Sequence, residues 1–312
     1  MKIVFLDAKT IGEDIDLSEF EQLGEVVKYG FSTPEEARER TRDADVIVLN
    51  KVEINEHSIG EAKNLKLVCV TATGTNNLDK EYLQKRGIAW RNVAGYSTES
   101  VAQHTFAMLF YLLEKLPYYD NYVKSETYVG DVTFTHFAKV FHELSGMTWG
   151  IIGLGNIGRR VADIAKMFGC RVLYYSTSGK NTQEGYERVN FDTLLKESDI
   201  VSVHAPLNEN TRGLMNRSAF EKMKPAAIFL NLGRGPIVVE QDLVDALDLG
   251  LIQAAGLDVL SVEPMQPENP LRKMKDSQKL LITPHIAWAS VEARTRLMKT
   301  IAGQIREYFL MK

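Results

Sequence analysis

One stretch limits the folds open to this chain more than any other. The apolar run Trp149-Gly150-Ile151-Ile152 leads into Gly153-Leu154-Gly155-Asn156-Ile157-Gly158 and then into the helical pattern of Val161 and Ala162. In such a G-x-G-x-x-G segment the first glycine suits a tight turn and the second lets the backbone approach a pyrophosphate. The third lets the helix pack on its strand, while unpaired N–H groups at the helix start favour an anion. With a strand before it and Gly169 closing the helix after it, the segment reads as the phosphate-binding turn of a dinucleotide fold rather than an incidental glycine turn.

The chain around this turn alternates short β-rich runs with helical stretches, the pattern of a parallel sheet with crossover helices. Strands are predicted at Ile3–Asp7, Glu25–Tyr29, Asp45–Leu49, Leu65–Val70 and Ile88–Val93. A second series is predicted near 149–153, 171–176, 200–204, 227–231, 253–258 and 280–283, punctuated by Pro225, Gly233, Gly250 and Pro284. Thr33-Pro34-Glu35-Glu36 reads as a helix start, with proline and acidic residues in the first turn. A long apolar helix runs from Ser97-Thr98-Glu99 to about Leu116; its hydrophobic circumference predicts burial between domains or subunits, and Pro117 is expected to end it. Residues 117–145, rich in Tyr, Phe, Thr and His, show no period and read as an irregular arm. The final segment, from about Ser290 to Leu310, has helical apolar spacing and is expected to return to the first domain.

Composition excludes several function classes. The chain has 312 residues, and 37 Lys+Arg face 41 Asp+Glu for a net charge of −4, without the basic footprint that nucleic acid or an anionic membrane requires. Its longest apolar run, Phe106–Leu113, falls far short of the ~20 residues that span a bilayer. Cys69 and Cys170 lie in apolar runs and read as reduced core thiols of a cytoplasmic protein. The spacing of His57, His104, His136 and His142 offers no metal-ligand set.

An acid is expected some 20 residues beyond the glycine turn, where it would hold the adenosine ribose of NAD. Here the strand Arg171–Tyr175 ends in Ser176-Thr177-Ser178-Gly179-Lys180, which has hydroxyls and a cation but no acid. Such a loop suits the 2′-phosphate of NADP, and hydroxyls also bond a plain ribose, so NAD and NADP both remain open.

Three later segments each place one chemical group at the C-terminal end of a predicted strand, where open α/β sheets present ligands. They are Asn231-Leu232-Gly233-Arg234-Gly235, Gly256-Leu257-Asp258-Val259 with Glu263-Pro264 beyond, and Thr283-Pro284-His285-Ile286-Ala287-Trp288. An arginine, an acid and a histidine so placed can hold a small carboxylate and move a proton. Arg234 has the planar fork for carboxylate and carbonyl oxygens, His285 is the natural acid/base, and Glu263 suits the far imidazole nitrogen.

Together with Thr71-Ala72-Thr73-Gly74-Thr75, the helix Gly95–Thr105 and Val203-His204-Ala205-Pro206-Leu207, these motifs make the chain resemble the D-2-hydroxyacid dehydrogenase family over nearly its whole length. Ala72-Thr73-Gly74, Tyr96-Ser97-Thr98 and His285-Ile286-Ala287-Trp288 are most similar to its glycerate dehydrogenase (hydroxypyruvate reductase) branch. Two departures stand out: the missing ribose acid, and the divergent arm, where Ser145-Gly146-Met147-Thr148 replaces the family's Gly-Lys-Thr.

The resemblance implies two Rossmann-like, doubly wound parallel-sheet α/β domains with a cleft between them: a discontinuous substrate domain at 1–97 plus 288–312 and a coenzyme domain at 98–287. It implies a catalytic trio of Arg234, Glu263 and His285, with Thr73 and Gly74 joining Arg234 and His285 at the substrate. The coenzyme, NAD or NADP, would lie on Gly153, Gly155, Asn156, Ile157 and Gly158, with its adenosine side near Ser176, Thr177, Ser178 and Lys180. His204, Ala205, Pro206 and Thr211 would continue that surface, and Leu232, Gly233, Asp258 and Ala287 would meet the nicotinamide half. The reaction it implies is reduction of hydroxypyruvate to D-glycerate. The apolar helix at 99–116 and the aromatic arm after it predict a homodimer, and the charge balance predicts neither nucleic acid nor membrane as a partner. A reductase of pyruvate or a bulkier keto acid, and an NAD(H)-sensing corepressor, are the alternatives.

Overall fold

The computed structural model describes residues 1–310 apart from Asn181 and Lys275. The chain folds into two compact units, Met1–Ser97 with Ala289–Lys312, and Thr98–Trp288; of these, Met311 and Lys312 lie outside the described residues.

Short runs of β-branched and aliphatic residues form the sheet of the first unit: β1 (Lys2–Phe5), β2 (Glu25–Lys28), β3 (Val46–Leu49), β4 (Leu67–Val70) and β5 (Ala89–Arg91). They pair in parallel in the order β2-β1-β3-β4-β5, and the full burial of β3 and β4 explains why both read as unbroken apolar runs. The connecting helices are α1 (Ser18–Glu21), α2 (Pro34–Arg40), α3 (Glu56–Ile59) and α4 (Lys80–Lys85). As expected from Thr33-Pro34, α2 opens with a capping box in which the Thr33 side chain accepts from Glu36 N–H and the Glu36 carboxylate accepts from Thr33 N–H.

The second unit begins with α5 (Thr98–Leu113) and α6 (Leu116–Lys124), then continues β6 (Thr148–Ile152), α7 (Asn156–Met167), β7 (Arg171–Tyr175), β8 (Glu187–Arg188), α8 (Phe191–Glu197) and β9 (Ile200–Val203). It ends with α9 (Arg217–Phe220), β10 (Ile228–Asn231), α10 (Glu240–Asp248), β11 (Ala254–Leu257) and β12 (Leu280–Ile282); α11 (Val291–Leu310) then returns to the first unit. The parallel order β12-β11-β10-β9-β6-β7-β8 reverses direction between β6 and β9. Such a switch point leaves a crevice at the carboxyl ends of two strands, and here these ends carry Gly153 and His204.

The structure differs from some of these expectations. Pro117 does not end helical structure: Lys115, at φ 55°, breaks α5, and α6 starts at once with Pro117 in its first turn, where a missing N–H costs nothing. The arm is therefore helical over its first third. Within the chain, Val101, Phe106, Met108, Leu109 and Leu112 of α5 face the core, while Gln103, Ala107 and Tyr111 form an exposed stripe. Trp288 belongs to the second unit, where its indole N–H donates to His285 O at 2.9 Å. The edge strand β8, two residues long, has no sequence period and was not anticipated.

Candidate active site

Each glycine of the turn meets a different constraint. Gly153 sits at φ +93°, and a Cβ there would come within 2.9 Å of the Ala205 backbone. A Cβ on Gly158 would lie 2.2 Å from Gly153 O, which is the close helix-to-strand packing the motif predicts. A Cβ on Gly155 would meet nothing within 4 Å, because that position faces open space at the start of α7. No side chain caps this twelve-residue helix, so its first N–H groups remain available for an anion. The open cradle at Gly155 fits a pyrophosphate.

His204 and Ala205 form the other wall of the crevice. Trp149 Nε1 donates to Ser202 Oγ at 2.9 Å, and Ser202 Oγ lies 3.0 Å from His204 Nε2. An indole can only donate, so Ser202 Oγ accepts from Trp149 and keeps both a proton and a second lone pair with which to meet Nε2. The Nδ1 atom is buried and has no partner among the described residues. Burial pushes the His204 pKa down to about 3, so the ring is neutral. An orphaned polar atom at this place also fits a bound coenzyme. Thr211 Oγ1 donates to Pro206 O at 2.8 Å and holds the adjoining loop.

The three strand-end segments meet through hydrogen bonds and one close backbone approach. After β10, Gly233 N–H donates to Asn231 Oδ1 at 3.0 Å and Asn231 Nδ2 donates to Arg234 O at 3.1 Å, so the turn carrying Arg234 is tied to its own strand. Next to it, a Cβ on Gly235 would fall 1.8 Å from Leu260 O, so only glycine lets the Arg234 turn lie against the Val259–Glu263 loop. In that loop Glu263 Oε1 accepts from Leu260 N–H at 3.0 Å, and Oε2 lies 2.8 Å from His285 Nδ1. The carboxylate thus fixes the ring and leaves Nε2 as the imidazole nitrogen available for proton transfer.

His285 itself adopts φ 55°, a left-handed conformation that a non-glycine residue keeps only when its surroundings impose it. Asp258, 2% exposed, supplies much of that constraint: Oδ1 accepts from Thr283 Oγ1 and Ile286 N–H, and Oδ2 accepts from Ala287 N–H at 3.0 Å.

Three supporting residues escaped the sequence reading. His104 Nε2 lies 3.1 Å from Thr283 Oγ1 and so backs the His285 segment from α5. Buried Glu240 accepts from Ser261 N–H at 2.7 Å and from Asn269 Nδ2 at 2.9 Å, which pins the loop that carries Glu263. In the first unit Asp7, 2% exposed, accepts from the N–H groups of Asn50, Lys51 and Val52 at the switch point between β1 and β3. Burial raises its pKa against the pull of these N–H donors. Asn50 and Asn77 then bond the carbonyls of Thr71, Asn50 and Val52, so Asp7 braces the loop of Thr73 and Gly74. The backbone N–H groups of Thr73 and Gly74 have no partner among the described residues.

The model of the D-isomer specific 2-hydroxyacid dehydrogenase NAD-binding domain matches residues 106–287, more than half of the chain. The chain belongs to the D-isomer-specific 2-hydroxyacid dehydrogenase family. A hydroxypyruvate reductase of Blautia hydrogenotrophica is 37% identical over 315 residues, covering 99% of this chain and 97% of that protein. Two solved structures share the fold. An acyclic imino acid reductase in complex with NADPH and D-Arg has a TM-score of 0.87 at 28% identity over 100% of this chain and 98% of the other. The D-lactate dehydrogenase of Aquifex aeolicus with NAD and lactic acid has a TM-score of 0.84 at 26% identity over 98% and 95%. This dehydrogenase is accordingly an oxidoreductase of the CH–OH group that uses a nicotinamide coenzyme, NAD or NADP, to reduce a small 2-keto acid to the D-2-hydroxy acid. Among the described residues, no helix is long and apolar enough to cross a membrane.

Proposed function

We propose that the dehydrogenase reduces hydroxypyruvate to D-glycerate, with Arg234, Glu263 and His285 as its catalytic residues. The observation that carries this reading is the 2.8 Å pair of His285 Nδ1 and Glu263 Oε2, held beside the Arg234 turn by the close approach at Gly235. The identity to a hydroxypyruvate reductase supports the substrate.

When bound, the nicotinamide coenzyme supplies the hydride that C2 of the keto acid accepts. The planar fork of Arg234 binds the carboxylate and polarises the carbonyl, a bidentate geometry that a lysine ammonium lacks. His285 Nε2 hands a proton to the carbonyl oxygen and recovers it in the reverse direction. Glu263 keeps the ring oriented and balances its positive charge. The N–H groups of Thr73 and Gly74 offer two further donors for a carboxylate. Asp258 Oδ2, with one of its lone pairs engaged by Ala287 N–H, offers the other to the nicotinamide carboxamide.

The working form is a cytoplasmic homodimer. The arm after α5 exposes Val132, Phe134, Phe137 and Val140 at 98%, 87%, 84% and 71%, a run of apolar surface that a second copy would cover.

The test is NAD(P)H oxidation with hydroxypyruvate, glyoxylate, pyruvate and phenylpyruvate. Hydroxypyruvate should show the highest kcat/KM. A preference for pyruvate or phenylpyruvate would overturn the substrate assignment, and tight coenzyme binding without turnover of any of them would favour a sensor.

A further inference from the structure

We propose that Arg188, on the edge strand β8, binds the 2′-phosphate of the coenzyme and makes this dehydrogenase selective for NADP(H); the proposal rests on the coenzyme-site reading given above. Three observations support it. First, the tip of β7 carries no acid. Residues 176–179 close a turn with Gly179 N–H donating to Ser176 O at 3.1 Å, and the turn presents the hydroxyls of Thr177 and Ser178 with Lys180 beside them. A ribose 2′-hydroxyl would find no carboxylate to accept its proton here, whereas a phosphate would find donors.

Second, Arg188 is aimed at this turn. It pairs in register with Tyr174 on β7, and its Nη2 donates to Gly179 O at 2.9 Å. Side chains in register on neighbouring parallel strands share a face, so Arg188 and Tyr174 lie on the same face of the sheet. Tyr174 packs in the cluster that holds Val161 and Ala162 of α7, so this is the face covered by the helix of the glycine turn. A dinucleotide whose pyrophosphate sits at the start of α7 extends its adenosine toward the tip of β7 along that face.

Third, the charge of Arg188 is available. Among the described residues its guanidinium makes only the bond to Gly179 O and no ion pair. Its neighbour Glu187 is drawn back to the start of β7 by Arg171, at 2.7 Å. A guanidinium with several unpaired N–H donors, exposed beside a hydroxyl-rich turn, has the geometry for bidentate phosphate recognition.

The experiment is titration of NADPH, NADH, 2′,5′-ADP and 5′-AMP into wild type and two variants by coenzyme fluorescence and calorimetry. Arg188→Gln keeps a donor for Gly179 O but removes the charge, and Arg188→Ala removes both. Wild type should bind NADPH and 2′,5′-ADP at least 10-fold more tightly than NADH and 5′-AMP. Arg188→Gln should weaken NADPH and 2′,5′-ADP by roughly 10–100-fold, as expected for a lost charged hydrogen bond, and change NADH less than twofold. Equal affinity of wild type for both coenzymes, or parallel losses for both in Arg188→Gln, would overturn the proposal while leaving the coenzyme site in place. Failure of wild type to bind either coenzyme would instead overturn the coenzyme-site reading itself.

Discussion

Single side chains here act through what holds them. The backbone carbonyl of Arg234 is tied to Asn231, so Arg234→Lys should leave the turn in place and remove the planar fork proposed to bind the substrate. We expect kcat/KM to fall at least ~100-fold with coenzyme affinity within twofold of wild type; an equal loss in a coenzyme titration would contradict the assigned role. His285→Gln should cost on the order of 10²–10⁴-fold in rate, the usual contribution of a general acid. His204 tests burial rather than chemistry. Its pKa in the fold is about 3 against 6.5 for an ordinary imidazole, so the unfolded chain takes up a proton below about pH 6.5 that the folded chain refuses. The stability it contributes is fully present above pH 6.5 and is lost as pH falls toward 3, with a slope of up to ~1.4 kcal/mol per pH unit. Denaturant melts of wild type and His204→Asn between pH 7 and 4.5 should show a shallower decline for the variant.

The turn between β6 and α7 separates stability from binding within six residues. Gly155 has φ outside the left-handed region and open space ahead of it, so Gly155→Ala should fold with an unchanged Tm and lose at least ~10-fold in coenzyme affinity, because the methyl occupies the pyrophosphate cradle. Gly158→Ala meets Gly153 O at 2.2 Å, a backbone atom that cannot swing away, and should destabilise by about 1–3 kcal/mol or more. Thermal melts beside coenzyme titrations distinguish the two. A Gly155→Ala variant that melted early, or a Gly158→Ala variant as stable as wild type, would mean that the helix is packed differently from the structure. The same logic of close approach joins the loops after β10 and β11 at Gly235, which brings the arginine and the glutamate of the site into one neighbourhood.

The proposed dimer would use surface that neither unit buries internally. Tyr118, Tyr122 and His136 stack on one another in the arm, with Tyr122 and His136 centroids 3.8 Å apart, so the segment has local order while its apolar side chains remain outward. Light scattering at micromolar concentration should give the mass of a dimer. The double substitution Phe134→Ser, Phe137→Ser should shift it toward monomer while preserving the Tm of the second unit's core, since both rings are more than four-fifths exposed. A monodisperse monomer in wild type would remove the proposed role of the arm.

The glycine turn, the strands and the Arg234, Glu263 and His285 segments were all legible in the order of residues because each is a local pattern. A strand of four or five apolar residues, a turn and a helix start declare themselves within about a dozen positions. The exceptions are also physical. Strand β8 is too short to show a period, and α6 hid behind a proline that suits a helix's first turn as well as its end. Which side of α5 its own unit covers depends on what packs against it, which an apolar sequence does not reveal. The braces were invisible for a different reason. Asp7 reaches Lys51 across 44 positions, Glu240 reaches Asn269 across 29, and His104 reaches Thr283 across 179. Such pairs are chosen by strand order and loop path, and no periodicity or spacing in the chain records which polar groups the folded backbone will bring within hydrogen-bond distance.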